Sequence, residues 1–467
     1  MVRWKRFWGT GAATATLALM ATLLIANSRP ADAGLFSWLG GNGQGQSDDS
    51  QPQPSHGFFG GRAGNPGGYS GGGQYAAPQP GSAAFHGDEL PPAEGNEATR
   101  EWITNPALST PTLSTRNIEA TKVAIQRYQT IVAQGGWPTV PAYAMRPGSR
   151  GNEVELLHRR LEISGDLVGQ SIPDEYDAAL TQAVRKFQAR HALPPTGVID
   201  RATIDVMNVP ATIRLHQLQS NLGRLQTLAP AAANRYVVVN IPAAQVEAVE
   251  SGQVASRHAA VVGKFERQTP ELSSKIQEID FNPYWYVPRS IIYKDLVPKA
   301  REFAQRGQDM LAAYHMEAFD AAGNPIPAQS IDWNGDQVYG YNYRQLPWEE
   351  NSLGFVKINF PNKDSVYMHD TPLKSLFGRN VRFESSGCVR VHNIETLVTW
   401  ILRDTPSWNM QHVLSMKQTG EQIDVKLAKP LPVYFVYVSA WATPDGVVNF
   451  RPDIYNHDGA AETASAY

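Results

Sequence analysis

Two short stretches, FESSGCVRVHN at residues 383–393 and VYMHDTP at residues 366–372, decide how this chain is interpreted. The β-branched and aromatic residues at 366–368 are typical of a strand, and His369 lies at its end. A neighbouring strand ending at Cys388 would bring an imidazole and a thiol together. Cys388 is the single cysteine of the 467-residue chain, so it cannot form an internal disulfide.

A single thiol is either a buried apolar residue or a reactive nucleophile. Composition alone favours the buried residue, but a nearby imidazole, the natural partner of a thiol that must ionise, favours the nucleophile. His369 is the preferred base, and His392 ranks second. Gly387 would allow a tight turn beside the thiol, and the backbone N–H groups of Gly387 and Cys388 would face a developing oxyanion. Asn393 is expected to cap the helix that follows.

The composition indicates several folded domains and argues against a nucleic-acid-binding protein. One domain usually takes about 100 to 200 residues, so two or three are expected. Hydrophobic residues make up 42% of the chain, which is enough to build their cores, and the formal net charge is −3. No nucleic-acid partner is predicted, because the chain lacks an overall basic field.

The N-terminus is typical of an export signal, predicted to span residues 1–33. Basic residues at 3–6 precede an apolar run at 11–26 and a small-residue cleavage site at 31–33. Residues 34–110, rich in Gly, Ser, Gln and Pro, are predicted to form a disordered tether. The chain is therefore expected in the periplasm or cell envelope, tethered to the inner membrane if the signal is not cleaved.

Two helical segments are predicted next. Residues 111–145 have apolar residues at rough helical spacing and form a helical scaffold segment. Residues 146–210 contain VELLHRRLEISGD and AVRKFQARHALPPTGVIDRATIDVMN, and they resemble the small three-helix peptidoglycan-binding domain found beside many wall enzymes. A helical bundle without a ligand is the alternative, because apolar stripes on helices more often form core than binding surface.

Residues 235–450 are predicted to form a mostly β domain of antiparallel sandwich or barrel character, because strand-like runs alternate with turn signals. An insertion at about 294–348, with a helical run from Leu296 to Met316, is expected to form a lid. Residues 451–467 are predicted to be a C-terminal tail. The fold class is thus α+β and multidomain, with a β sandwich or barrel, a helical lid and a three-helix domain.

From about Arg235 to Trp441 the chain resembles the L,D-transpeptidases, the YkuD-type cysteine enzymes of the bacterial wall. The family's pattern is a His followed by Ser or Thr, usually His, then Gly-Cys, an aliphatic residue and Arg or Asn. His369 and residues 385–390 occupy these positions. Ser386 replaces the usual second His and Asp370 replaces a common Gly. Both departures fit the larger, lid-bearing branch of the family.

The resemblance implies that Cys388 is the nucleophile and His369 the base. Cys388 would attack the third residue of a tetrapeptide stem, release the terminal D-alanine and form a thioester, which an amine of a second stem converts into a 3→3 cross-link. Peptidoglycan stem peptides and glycan would be the partners, and carbapenem-type β-lactams the inhibitors. L,D-carboxypeptidase activity, attachment of a protein to the stem and a non-catalytic wall-binding scaffold are the alternatives. The oligomeric state is left open.

The other candidate site residues fall into two groups. Gly387, Ser386 and Ser385 are assigned to the nucleophile loop and its oxyanion site. The substrate-binding candidates are Arg390, Tyr339, Trp348 and Asp370, with Arg390 a donor to a substrate carboxylate or to the loop backbone. No metal or nucleotide cofactor is predicted, because neither metal-ligand spacing nor a phosphate-binding Gly-rich loop is present.

Overall fold

The computed structural model describes residues 110–141 and 144–459. The predicted signal peptide at 1–33, the predicted tether up to residue 109 and positions 460–467 of the predicted tail lie outside the described residues. Within the described ranges, no helix combines the length and the apolar character that crossing a bilayer requires.

The scaffold segment contains one long helix, α1, at Thr115–Ala133. It ends before Gly135 and Gly136, whose φ angles of +94° and +79° favour glycine and cannot continue a right-handed helix. The buried face of α1 includes Tyr128 and Ile131. This apolar face is what α1 buries against the rest of the protein.

Three further helices enclose an apolar core of their own. They are α2 at Asn152–Ser164, α3 at Ala178–Arg190 and α4 at Arg201–Met207. Asp177 and Asp200 cap α3 and α4, since their side chains accept hydrogen bonds from backbone N–H groups of the first turn. Local capping and one apolar face per helix thus account for this unit.

A fifth helix, α5 at Ala211–Leu228, was not predicted from the sequence. It shares an apolar cluster with α1 and with Phe450 of the β domain. Buried hydrogen bonds also join α3 to that domain. Arg190 Nη1 donates to the Val448 carbonyl at 3.2 Å, and Arg451 Nη1 donates to the Arg190 carbonyl at 2.9 Å.

The β domain supplies the strands that position the site. In chain order these are β1 Arg235–Asn240, β2 Gln245–Glu250, β3 Gln253–Gly263, β4 Leu272–Phe281, β5 Trp285–Tyr286, β6 Met316–Phe319, β7 Pro325–Ile326, β8 Asn342–Gln345, β9 Val356–Asn359, β10 Met368–His369, β11 Phe383–Ser385, β12 Val389–Val391, β13 Ile423–Val436, β14 Ala440–Ala442 and β15 Val448–Phe450.

The main sheet runs β11-β3-β12-β10-β9-β4-β13-β1-β2, and β2 also pairs with β3. This second pairing closes every strand except β11 into a barrel, which confirms the predicted mostly β fold class. The pairing is not purely antiparallel as predicted, because β10 pairs with β12 in parallel. The long connection between His369 and Cys388 supplies the crossover that a parallel pair requires.

The insertion carries a separate four-stranded sheet, β5-β8-β6-β7, and an apolar cluster of its own. That cluster extends from Trp285 to Leu353, beyond both ends of the predicted range 294–348. Trp285 belongs to β5, so the strand that enters the insertion is already part of its core. We refer to residues 285–353 as the lid.

The predicted helix from Leu296 to Met316 is wrong as a single element. A π-helix at Ile292–Leu296 leads into α6 at Val297–Gln305, and α7 follows at Met310–Ala313. The break contains Gly307, whose φ is +67°. A left-handed residue ends the first helix, so the chain restarts with a new cap.

Two helices, α8 at Ile394–Leu402 and α9 at Met410–Thr419, add apolar side chains to the barrel core. The prediction that Asn393 caps α8 through its side chain is wrong. Asn393 has a φ of +47° and makes no side-chain capping bond. Its left-handed backbone differs from the extended conformation of a side-chain N-cap.

The predicted tail at 451–467 is packed over its first eight residues. Arg451, Asp453 and Asp458 are buried there. Asp453 accepts hydrogen bonds from the Tyr437 hydroxyl at 2.7 Å and from the backbone N–H groups of His457 and Asp458, each at 2.8 Å. A run of polar residues is thus part of the interior because its carboxylates are satisfied.

Replacing Asp453 tests this packing. Asp453→Ala is expected to lower the free energy of unfolding by about 3 kcal/mol, because three buried donors lose their acceptor. The measurement is urea denaturation of the full chain followed by tryptophan fluorescence. Asp364→Ala, at an exposed position of the β9–β10 loop, is the control and should leave the midpoint unchanged. Equal midpoints for both variants would contradict the assignment.

Candidate active site

A row of polar side chains crosses the outer face of the barrel. His369 of β10 pairs with Arg390 of β12 on one side and with Lys357 of β9 on the other. Residues paired across strands lie on the same face of a sheet. Their sequence neighbours Met368 and Val389 belong to the apolar core. The register therefore turns Lys357, His369 and Arg390 away from the core.

Cys388 joins this face because it lies two residues before Arg390, and side chains alternate along a strand. The Val389 N–H donates to the Tyr367 carbonyl at 3.0 Å, which fixes Cys388 beside the strand that carries His369. Neighbouring strands are about 4.8 Å apart. Cys388 and His369 therefore start from adjacent strands on one face.

The thiol of Cys388 is partly exposed and has no disulfide partner. Burial raises its pKa, while hydrogen bonds from the backbone and the hydroxyl of Tyr367 lower it. The charges of Lys357 and Arg390 also lower it. Because the net shift is upward, the resting thiol is protonated at neutral pH.

His369 is only 5% exposed. Burial lowers its pKa to about 3, and the positive charges of Arg390, Lys357 and Lys374 act in the same direction. The backbone of Asp370 opposes the shift. Among the described residues, Nδ1 of this ring is buried without a hydrogen-bond partner. The imidazole is therefore neutral at pH 7 and able to accept a proton.

Tyr367 lies at the centre of the group and was not predicted to be a site residue. Its ring is 5.5 Å from the His369 ring, and Lys357 Nζ lies 5.0 Å from its centroid. Trp285 Nε1 of the lid donates to its hydroxyl at 3.2 Å. The signal in the sequence was its position two residues before His369, which puts both side chains on one face of a strand.

Ser385 holds the nucleophile loop, which we define as residues 385–388. Its hydroxyl donates to the Cys388 carbonyl at 2.6 Å and accepts from the Gly387 N–H at 3.1 Å. The Gly387 N–H, predicted to face an oxyanion, is thus bonded to Ser385 instead. Of the two predicted donors, Cys388 N–H remains for that role.

Gly387 itself is required by its backbone. Its φ is +114°, and an added Cβ would meet the Gln268 carbonyl oxygen at 3.3 Å. Any larger residue would be strained in this conformation. The Gly387 carbonyl accepts from Thr269 Oγ1 at 2.8 Å, so the turn is also fixed from outside the loop.

The other substrate-binding candidates lie elsewhere. Asp370 is buried, accepts a hydrogen bond from the Phe355 N–H at 3.2 Å and pairs with Lys374. Its carboxylate therefore supports the strand end and not a substrate.

The two lid candidates pack on other aromatic rings. Tyr339 stacks on Tyr293 with ring centroids 4.6 Å apart, and Trp348 stacks on His315 at 4.0 Å. Trp285 of the lid, in contrast, donates to the hydroxyl of Tyr367, the partner of the Cys388 thiol. His392 follows β12, and its ring packs on Phe377 with the ring centroids 5.0 Å apart.

Known families match both folded units. Residues 234–412 match the family described as "L,D-transpeptidase catalytic domain", of the YkuD type. Over this range the chain is similar to an L,D-transpeptidase catalytic domain. Residues 150–207 match the family described as "Putative peptidoglycan binding domain". The region similar to an L,D-transpeptidase domain therefore follows the region similar to a peptidoglycan-binding domain.

One curated relative is a "Putative L,D-transpeptidase" of Haemophilus influenzae, 31% identical over 223 residues. The match covers 48% of this chain and 44% of that relative, so the chain spans less than half the length of its curated relative.

Two solved structures resemble the L,D-transpeptidase domain weakly. One is an L,D-transpeptidase of Xylanimonas cellulosilytica, with 17% identity, a TM-score of 0.21 and coverage of 64% of this chain and 100% of that one. The other is an L,D-transpeptidase from Mycobacterium smegmatis, with 12% identity, a TM-score of 0.21 and coverage of 44% and 59%. Because both TM-scores are low, the fold assignment rests on the strand order of this chain.

The described residues lack the grouping of side chains that a metal site requires. In residues 110–141 and 144–459, no three His, Cys, Asp or Glu side chains are grouped as metal ligands would be. The groups available to the L,D-transpeptidase domain for chemistry are the thiol, the imidazole and the two cations of the row.

The cations beside the thiol predict a change in its ionisation. Lys357→Met removes a charge that lowers the pKa of Cys388, so alkylation by iodoacetamide at pH 8 should slow by about threefold to tenfold. Lys363→Met, an exposed lysine of the β9–β10 loop, is the matched control. Rates are followed by intact mass. An unchanged rate in Lys357→Met would show that this charge does not act on the thiol.

Proposed function

We propose that this protein is a peptidoglycan L,D-transpeptidase that uses Cys388 as its nucleophile and makes 3→3 cross-links. The observation that carries the proposal is the placement of Cys388 and His369 on one face of adjacent strands, with Arg390 and Lys357 beside them. The match of residues 234–412 to the L,D-transpeptidase catalytic domain supports the class of reaction.

In the first half-reaction, Cys388 Sγ attacks the carbonyl that joins the diamino acid to the terminal D-alanine. The thiol proton passes to the neutral His369, so no stable thiolate is needed beforehand. The Cys388 N–H stabilises the tetrahedral oxyanion. His369 then returns the proton to the departing D-alanine amine, and a thioester remains on Cys388.

In the second half-reaction, the side-chain amine of another stem attacks the thioester. His369 takes a proton from this amine and gives it to the departing sulfur as the C–S bond breaks. The thiol is restored, and a 3→3 cross-link forms. Water in place of the amine would give carboxypeptidase products. A lid that excludes water from the thioester would favour transfer over hydrolysis.

Arg390 is proposed to bind a carboxylate of the donor stem. It is 6% exposed, and among the described residues its Nη1 is buried without a hydrogen-bond partner. Burial lowers the pKa of Arg390, and Glu384, whose charge opposes that shift, is itself hydrogen-bonded to Arg379 at 2.8 Å. A buried guanidinium with an unused donor favours an anionic ligand, because an unpaired charge is costly to bury.

The remaining parts are assigned by the same proposal. The peptidoglycan-binding domain would hold the enzyme on its polymeric substrate after export to the periplasm or cell envelope. Carbapenems would acylate Cys388. An L,D-carboxypeptidase or an enzyme that attaches proteins to the stem would use the same first half-reaction. A non-catalytic scaffold would not require the buried polar row.

Product analysis distinguishes these activities. The full-length protein with purified disaccharide-tetrapeptide should release D-alanine and form dimers with a 3→3 bond, detected by mass spectrometry. Cys388→Ala should form none, and His369→Gln should be slower by about 10² to 10⁴ because the proton carrier is lost. Tripeptide monomers without dimers would replace the transpeptidase proposal by a carboxypeptidase. No turnover of any stem by folded protein would favour the scaffold.

A substitution of Arg390 tests the carboxylate site. Arg390→Gln should lower kcat/KM for the tetrapeptide by about 10- to 100-fold, since a charge-assisted hydrogen bond is lost. Amidation of the donor's carboxylates should produce a similar loss in the wild type and little further loss in the variant. Arg403→Gln, at a half-exposed arginine that pairs with Glu250, is the control. Additive losses from amidation and Arg390→Gln would show that Arg390 does not bind these carboxylates.

A further inference from the structure

Arg267 contacts the lid and the nucleophile loop at once. It ends a short 3₁₀ turn, Phe265–Arg267, that follows β3. Its Nη2 donates to Asp295 Oδ1 at 2.8 Å, and its Nη1 donates both to Asp295 Oδ2 and to Ser386 Oγ, the latter at 2.9 Å. One guanidinium therefore binds two partners that have no direct contact with each other among the described interactions.

The two partners belong to different parts of the domain. Asp295 lies in the π-helix Ile292–Leu296 at the start of the lid's helical part, whereas Ser386 directly precedes Gly387 and Cys388. The side chains of Arg267 and Asp295 are only 13% and 8% exposed. A forked pair this deeply buried is strongly destabilised when one partner is removed. Lid and nucleophile loop are thus joined through a rigid, charge-assisted contact.

The segment around Arg267 supports the same loop with its backbone. The Lys264 N–H donates to the Ser385 carbonyl at 3.0 Å. Thr269 Oγ1 donates to the Gly387 carbonyl at 2.8 Å and accepts from the Gly263 N–H at 2.8 Å. Residues 263–269 therefore contact the loop on both sides of Ser386, and Arg267 adds the connection to the lid.

A second contact joins the lid to the nucleophile through Tyr367. Trp285, in the strand that enters the lid, donates to the hydroxyl of Tyr367 at 3.2 Å, and Tyr367 is in turn a hydrogen-bond partner of the Cys388 thiol. The lid therefore contacts the nucleophile from two sides, through the loop at Ser386 and through the thiol's own partner. A displaced lid would disturb both contacts.

We propose that Arg267 is a positioning residue that makes the geometry of the nucleophile loop depend on the docked lid. When Asp295 holds one edge of the guanidinium, the remaining donor orients Ser386, and with it the adjacent Gly387-Cys388 backbone that carries the oxyanion donor. This inference rests on the proposed role of Cys388 as nucleophile. Its consequence is that acylation requires a docked lid, whereas small reagents reach the thiol without it.

Arg267→Lys tests the inference because lysine keeps the charge but lacks the planar fork that binds two partners. Acylation of the full-length protein by meropenem, followed by intact mass, should slow by about 10²-fold, the cost of a small misplacement of reacting groups. Arg344→Lys alters another arginine–carboxylate pair of the lid, with Glu317, that does not contact the loop, and it should acylate at the wild-type rate. Melting temperatures verify that both variants are folded.

A double-mutant cycle separates positioning from local stability. Asp295→Ala and Ser386→Ala should each slow acylation, and the double variant should be no slower than the worse single one, because both act through Arg267. In an Arg267→Ala background, neither change should slow acylation further. Independent, multiplicative losses in either background would overturn the proposal.

Alkylation of Cys388 by iodoacetamide provides a readout that does not depend on the proposed function. Arg267→Lys should be alkylated faster than the wild type, because the thiol is more accessible, while Arg344→Lys should match the wild type. If meropenem fails to acylate even the wild type, the proposed function fails, and the alkylation rates alone then test the lid contact. Acylation and alkylation rates of Arg267→Lys that both equal those of Arg344→Lys would overturn the inference.

Discussion

The register between β10 and β12 is the constraint on which the site depends. It pairs His369 with Arg390 and places Met368 opposite Val389 inside the barrel. A slip of one residue would turn every side chain of β12 to the other face, so that Arg390 would enter an apolar core. Because burying that charge is costly, the slipped pairing is disfavoured. The observed pairing places β12, which follows Cys388, beside β10, which ends at His369.

The surroundings of Cys388 and His369 also explain why the thiol and the imidazole are both uncharged in the resting protein. Burial and three cations, Arg390, Lys357 and Lys374, keep His369 neutral, while burial keeps Cys388 protonated. The site thus holds a neutral imidazole and a protonated thiol instead of a preformed ion pair. Lys357 and Arg390 leave positive charge beside the thiol.

Much of this could be predicted from the sequence, and the remainder depended on tertiary contacts. The motif around Gly387 and Cys388 indicated the proposed nucleophile, and strand-like runs predicted a mostly β domain. Tyr367, Lys357 and Arg267 were missed because their importance comes from pairing and contacts across the fold. Asp370 and Asn393 were misassigned because neighbouring residues face opposite ways or adopt left-handed backbone, which composition does not reveal. The packed residues 451–458 were taken for a tail because buried carboxylates look polar in a sequence.

The central claim is that Cys388 becomes covalently acylated by the wall peptide during turnover. The most direct measurement is rapid acid quenching of the full-length protein with disaccharide-tetrapeptide, followed by peptide mapping by mass spectrometry. We expect the peptide that contains Cys388 to gain the mass of the disaccharide-tripeptide acyl group. Hydroxylamine should release this group, because it is held as a thioester. Consumption of the donor with Cys388 unmodified throughout, and with Cys388→Ala equally active, would contradict it.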